Sequence, residues 1–146
     1  FDLSGGQKRC VAIAGILAMQ PKILVMDEPA AGLDPETKYM VFELVEKIRK
    51  TRNIAIVLVS HHMEDVARYA NKVLVLHKGE LVLSGTTEEV FTKTDFLRQI
   101  GMDVPQITSV TEKLIQAGVP MTAPATSVKE AEDMIMKVLR ERGGMK

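Results

Sequence analysis

Two short runs constrain this chain more than anything else in it: Ile23 to Met26 and Ile54 to Val59, both apolar without alternation. Runs of this length with no polar side read as strands covered on both faces, the pattern of parallel sheets. A helix pattern lies between them. Asp34 and Pro35 supply an N-cap and a first-turn proline, and Val41, Phe42, Leu44, Val45 and Ile48 form an apolar stripe. Strand, helix and strand in that order predict a right-handed parallel crossover, whose ligands gather beyond the carboxyl ends of the strands. Asp27 and Glu28 follow the first run and Ser60 and His61 the second, so four polar residues fall at that end.

On the amino-terminal side, Ser4 is a good N-cap for a helix whose stretch from Cys10 to Met19 is apolar on all sides, which predicts a buried helix ending before Pro21. Phe1, standing directly before a glycine turn and this helix, reads as a start cut into a longer pattern. On the other side a short helix is expected at about Glu64 to Tyr69, then a hairpin of Val73 to His77 and Glu80 to Ser84 turning at Lys78-Gly79. From Thr86 the pattern becomes short helices broken by Gly101, Pro105, Gly118, Pro120 and Pro124. It closes with an amphipathic helix from about Ser127 to Arg142, striped by Val128, Ala131, Met134, Ile135, Val138 and Leu139. The expected organisation is an α/β part over residues 1–85 and a small helical subdomain over residues 86–146.

Composition removes some functions. A formal net charge of zero gives no electrostatic reason to bind nucleic acid, and no apolar run approaches the roughly 20 residues of a membrane-spanning helix. Cys10 is the only cysteine, so no intrachain disulfide can form and the chain reads as cytosolic.

Three places carry chemistry. Leu3-Ser4-Gly5-Gly6-Gln7 opens a helix, where unpaired N–H groups and the helix dipole favour an anion and glycines allow close approach. Taken alone, a two-glycine motif is more often an ordinary glycine-rich helix start. Asp27 and Glu28, adjacent at a strand end, suit an aspartate holding the hydration shell of Mg²⁺ beside a glutamate that polarises water. Taken alone, they are equally two solvated acids. His61 at the next strand end is placed to meet a terminal phosphate, although a single histidine there is more often structural; His62 reads as a helix-start surface residue.

In order, these segments resemble the ATP-binding-cassette (ABC) family of P-loop NTPases. Leu3 to Gln7 (LSGGQ) matches the signature motif, Ile23 to Pro29 (ILVMDEP) Walker B, Ala31 to Asp34 (AGLD) the D-loop, and Ser60-His61 the switch. The resemblance implies the C-terminal part of a three-layer α/β fold around a parallel sheet, in which two ATPase domains sandwich two ATP molecules. It implies that Ser4, Gly5, Gly6 and Gln7 serve ATP in trans, that Asp27 (for Mg²⁺), Glu28 and His61 serve ATP in cis, and that Asp34 bridges the two sites. FDLSGGQKR, VAIAGILAM, VSHHMEDVARYANKVLVLHKGE and GMDVPQIT are further similar to the ATPases of energy-coupling-factor importers. That group takes up vitamins or transition-metal ions such as cobalt or nickel. It implies a second ATPase subunit, identical or different, which the C-terminal helices pair with the first. It also implies a transmembrane coupling protein, a substrate-binding membrane protein, and a peripheral place on the cytoplasmic face of the membrane.

The sequence departs from the family at Cys10, where a basic residue is frequent, at Ala30, where threonine or serine is usual, and at His62. None of these holds reacting atoms. More consequential, no G-x-x-x-x-G-K-[ST] sequence occurs in the 146 residues, nor the glutamine loop expected ahead of the signature. The alternative is therefore a non-catalytic module that dimerises through its helices and binds no nucleotide. A chromosome-maintenance ATPase of the same superfamily is disfavoured, because no sustained heptad is present.

Overall fold

A computed structural model describes residues 3–141. They form two compact units, which divide between His61 and His62.

The first unit is the expected crossover. Helix α1 (Gly5–Ala18) is followed by β1 (Ile23–Asp27), α2 (Pro35–Arg52) and β2 (Ala55–Val59). The strands pair in parallel, with Leu24 opposite Ile56 and Met26 opposite Leu58. Both helices pack on one face: Ile13 and Leu17 of α1, Val41 and Val45 of α2, and Leu24 and Met26 of β1 make a single core, with Ile54 and Ile56 at its margin. The other face is open among the described residues. Leu24 is 2% exposed and Val25 is 62% exposed, with Ile23, Val57 and Val59 on Val25's side. The expectation of strands covered on both faces is thus corrected, because a single helical layer can bury only alternate strand residues. The wholly buried helix is corrected for the same reason. α1 meets this core through Ile13 and Leu17, leaving Val11, Ile16 and Met19 exposed.

The second unit begins with α3 (Met63–Tyr69), followed by the hairpin β3 (Val73–His77) and β4 (Glu80–Gly85). Lys78 and Gly79 both have positive φ, as the tight hairpin turn requires. Four helices follow: α4 (Thr87–Phe91), α5 (Thr94–Gln99), α6 (Gln106–Gln116) and α7 (Val128–Glu141). Met63, Val73, Val75, Val90, Phe91, Leu97 and Val104 form the core, which runs across Gly85 and joins hairpin to helices. The α7 stripe is buried at Ala131 and Val138, half-buried at Met134 and Ile135, and exposed at Val128 and Leu139. Its expected last residue, Arg142, lies outside the described residues.

Candidate functional site

Every expected site residue lies in the first unit. The Glu28 N–H still pairs with the Val59 carbonyl at 2.9 Å, and only then does the chain leave the sheet, with Ala31 N–H donating back to the Glu28 carbonyl at 3.1 Å. Glu28 makes this turn at φ 43°, in the left-handed region that residues with side chains seldom occupy. Its carboxylate reaches the end of β2. Oε1 accepts the His61 backbone N–H at 2.9 Å and lies 2.6 Å from His61 Nδ1, while Oε2 is 3.5 Å from the Ser60 hydroxyl. A carboxylate at that distance makes Nδ1 the proton-bearing nitrogen, so Nε2 accepts in the neutral ring and donates in the charged one. The ring stays 75% exposed and the carboxylate 29%, which leaves both accessible to a ligand.

Asp27 closes β1 in register with Val59 and is exposed, on the same open side as Ile23 and Val25. The two adjacent acids therefore differ: Glu28 is held against the switch residues, and Asp27 projects from the strand end. Such exposed carboxylate oxygens are the hard donors Mg²⁺ prefers, and the ion keeps several waters of its own.

The signature residues form a capping box at the start of α1. Ser4 Oγ accepts from the Gln7 N–H at 3.3 Å, and Gln7 Oε1 accepts from the Ser4 N–H at 2.9 Å. Side chains so engaged leave the first-turn backbone amides ahead of Gln7, and the dipole of a 14-residue helix, as what the segment offers an anion. Gly5 is exposed; Gly6 is buried. Asp34 is the N-cap of α2, with Oδ1 accepting the Thr37 N–H at 3.0 Å and Oδ2 the Thr37 hydroxyl at 2.6 Å. Those two bonds, the hydroxyl's foremost, hold the Asp34 carboxyl below the usual range.

The structure brings Glu28, Ser60 and His61 into direct contact, and it places Asp27 beside Glu28 in the chain. Two residues that sequence reasoning did not single out join the set. Thr37 clamps Asp34, and Arg9 donates through Nη2 to the Ala31 carbonyl at 3.3 Å. The spacing of three from Asp34 to Thr37 is a capping signal that points to the first. Nothing local points to the second, whose acceptor is a backbone carbonyl 22 residues away.

Comparison with known proteins bears on what this arrangement does. A family model described as "AAA domain, putative AbiEii toxin, Type IV TA system" matches residues 1–64. The energy-coupling factor transporter ATP-binding protein EcfA2 of Caldanaerobacter subterraneus subsp. tengcongensis is 49% identical over 140 residues, 96% of this chain and 49% of that protein. The protein of the same name from Enterococcus faecalis is 43% identical over 146 residues, all of this chain and 50% of that protein. The chain thus spans about half the length of the curated relatives it matches. Among solved structures, cbiO1 from Clostridium perfringens, described as part of the ABC transporter complex cbiONQ, superposes with a TM-score of 0.60 at 38% identity, covering 76% of this chain and 44% of that one. An ATP-binding cassette of an ABC transporter in its ADP conformation gives a TM-score of 0.55 at 34% identity, covering 60% and 34% respectively.

Proposed function

The chain is a member of the ATP-binding-cassette ATPases, similar over nearly all its length to the ATP-binding proteins of energy-coupling-factor transporters, and from that membership we propose that it carries the hydrolytic half of an importer's ATPase site. The observation that carries this reading is the Glu28 carboxylate fixed at 2.6 Å from His61 Nδ1 at the carboxyl end of the parallel strands.

Each residue's part follows from its chemistry. Asp27 would hold Mg²⁺ through the ion's water shell, and the ion would supply neutralisation of phosphate charge there. Glu28 accepts a proton from the attacking water. Its Oε1 is engaged by His61, and Oε2, at the longer 3.5 Å contact to Ser60, is the oxygen assigned to that task. His61 orients the carboxylate through Nδ1 and presents Nε2 to the terminal phosphate. The α1 segment at Ser4, Gly5, Gly6 and Gln7 serves the ATP held by a second ATPase subunit, and Asp34 lies between the two sites. A loop that cradles the β- and γ-phosphates must come from outside these 146 residues, in a longer protein or another chain, because no Walker A sequence occurs among them.

At the level of the assembly, the ATPase powers uptake of a vitamin or a transition-metal ion such as cobalt or nickel. It works with a second ATPase subunit, a transmembrane coupling protein and a substrate-binding membrane protein, on the cytoplasmic face of the membrane, and has no nucleic-acid partner. Among the described residues no helix is long and apolar enough to cross a membrane. Residues 1–85 serve the nucleotide and residues 86–146 the pairing of subunits, a division of function across the core that spans Gly85.

The test uses the chain joined to a Walker A half. Glu28→Gln is expected to lower hydrolysis by about 10² to 10⁴ while ATP still binds; hydrolysis at the unmutated rate would overturn the assignment. His61→Ala should slow turnover strongly and His62→Ala hardly at all.

A further inference from the structure

Gly6 and Thr37 are 31 positions apart, yet a Cβ built on Gly6 falls inside the contact shell of the Thr37 γ-methyl group and 3.4 Å from the Thr37 Cβ. Gly6 is thus a glycine for a reason internal to the chain: the start of α1 lies directly against the first turn of α2. Next to it, a Cβ on Gly5 would make ordinary contact with Leu33 Cδ2 at 3.6 Å. The other arm of the same threonine, its hydroxyl, donates to Asp34 Oδ2 at 2.6 Å. The two arms share one χ1 angle, so the rotamer that seats the methyl on Gly6 also aims the hydroxyl at Asp34, and neither can shift alone. At the far end of the same loop Arg9 of α1 holds the Ala31 carbonyl at 3.3 Å, so the segment from Ala31 to Asp34 is tied to α1 at both ends.

We propose that Thr37 is a positioning residue that locks the Gly5-Gly6 turn to Asp34, making the signature segment and the D-loop one rigid piece, with Arg9 as the second tie. The inference rests on the reading above, in which those two segments serve paired nucleotides. It deepens that reading by naming what couples them within one chain. An ordinary helix cap requires only the Thr37 N–H on Asp34 Oδ1; the methyl against Gly6 and the hydroxyl on Asp34 go beyond it. The low-lying Asp34 carboxyl agrees with such a grip, since the Thr37 hydroxyl is its foremost cause.

A size exchange tests the lock. Gly6→Ala puts a methyl where the Thr37 γ-methyl sits, so it should turn Thr37 and break the hydroxyl bond to Asp34. Thr37→Ser deletes that γ-methyl and keeps the hydroxyl, so it should make room for the alanine. In the 146-residue chain itself, amide exchange followed by NMR should show the Thr37 N–H exchanging about tenfold faster in Gly6→Ala, and returning to the Thr37→Ser value in the double variant. Unchanged exchange in Gly6→Ala, or no recovery in the double variant, overturns the proposal. Joined to a Walker A half, Gly6→Ala should lower kcat about tenfold with KM for ATP within about twofold, and the double variant should recover to the rate of Thr37→Ser. A double variant as slow as Gly6→Ala would assign Gly6 to the nucleotide alone and overturn the lock. If the unmutated protein does not hydrolyse ATP, the functional reading fails, and the exchange experiment still decides whether Thr37 couples the two segments.

Discussion

The two units hold their important polar groups in opposite ways. In the first, Glu28, Ser60, His61, Asp34 and Thr37 stand at strand and helix ends, half-buried or exposed, and are fixed by hydrogen bonds among themselves. In the second, Thr108 and Thr111 are fully buried in α6, next to a core whose Val90, Phe91 and Leu97 are 1% exposed. The difference teaches where chemistry can be put. An ionised carboxylate cannot be sunk into a core without a large desolvation cost, so acids meant to meet a ligand sit where hydrogen bonds replace packing. Stability is then supplied by positions that carry no chemistry.

The strongest way to break this comparison is to damage the packed region. Phe91→Ala removes a large buried ring from the core of Val73, Val75, Val90 and Leu97 and should cost about 3–5 kcal/mol in urea unfolding. A loss comparable to that of a surface substitution would mean that this core is not what stabilises the second unit.

A finer cut lies within α6. Thr111 Oγ1 donates to the Ile107 carbonyl at 2.8 Å and accepts from the buried Ala125 N–H at 2.9 Å, so Thr111→Val leaves that amide without its partner. The expected loss is about 1–3 kcal/mol. Thr108 is as deeply buried, yet its hydroxyl oxygen has no hydrogen-bond partner among the described residues. Thr108→Val should therefore be neutral or stabilising. Equal losses for the pair would show that shape, rather than the bond to Ala125, sets the cost.

Acid acts on both units, with the same sign. The Arg98 guanidinium, 2.6 Å away, chiefly holds the Glu112 carboxyl below its usual range, with Thr94 contributing; in the first unit Thr37 does the same for Asp34. A carboxyl whose folded pKa is depressed contributes stability above its unfolded pKa of about 4 and loses it as the pH falls through the folded value. Urea midpoints should therefore drop between pH 6 and pH 3, and Glu112→Gln should narrow that drop. A midpoint independent of pH would count against both carboxylate grips.

How much of this is legible in the sequence follows the range of each interaction. The caps at Ser4 and Asp34 and the hairpin at Lys78-Gly79 are local, written in residues at most a few positions apart, and the crossover, whose paired strand residues lie 32 positions apart, is written in the order of its elements; the structure has them where the sequence places them. The open sheet face was legible only indirectly, through the Walker A sequence that these 146 residues lack and the sheet it would belong to. An apolar run such as Ile23 to Met26 records what a strand needs covered, and is silent on whether a cover lies within the same residues. The site was legible as an address, since Glu28 and His61 follow two strands that pair in parallel. Its geometry was not, because the clamp depends on the left-handed turn at Glu28, which no local glycine or asparagine announces. The ties from Arg9 to Ala31 and from Thr111 to Ala125 join residues distant in sequence, one through a backbone acceptor and the other through a backbone donor, and backbone groups leave no mark in a sequence.

The smallest effect sharpens the comparison at one backbone conformation found in both units. Asn53, at the end of α2, and Lys78, in the hairpin turn, each have φ 51°. Asparagine tolerates this left-handed region because its short amide bonds locally, whereas a lysine Cβ meets the following carbonyl with no such relief. The first unit thus fills the position with a suited residue and the second does not. Lys78→Asn would create the Asn-Gly pair favoured in tight hairpins and should stabilise the second unit by about 0.5–1 kcal/mol, a fraction of the full left-handed cost. Asn53→Lys should cost the first unit a similar amount. Amide exchange in β3 and β4 for one substitution, and at the end of α2 for the other, reads each effect in place. If Lys78→Asn leaves the hairpin amides unchanged, the exposed turn is already relaxed, and the stability of that unit rests on the core around Phe91 alone.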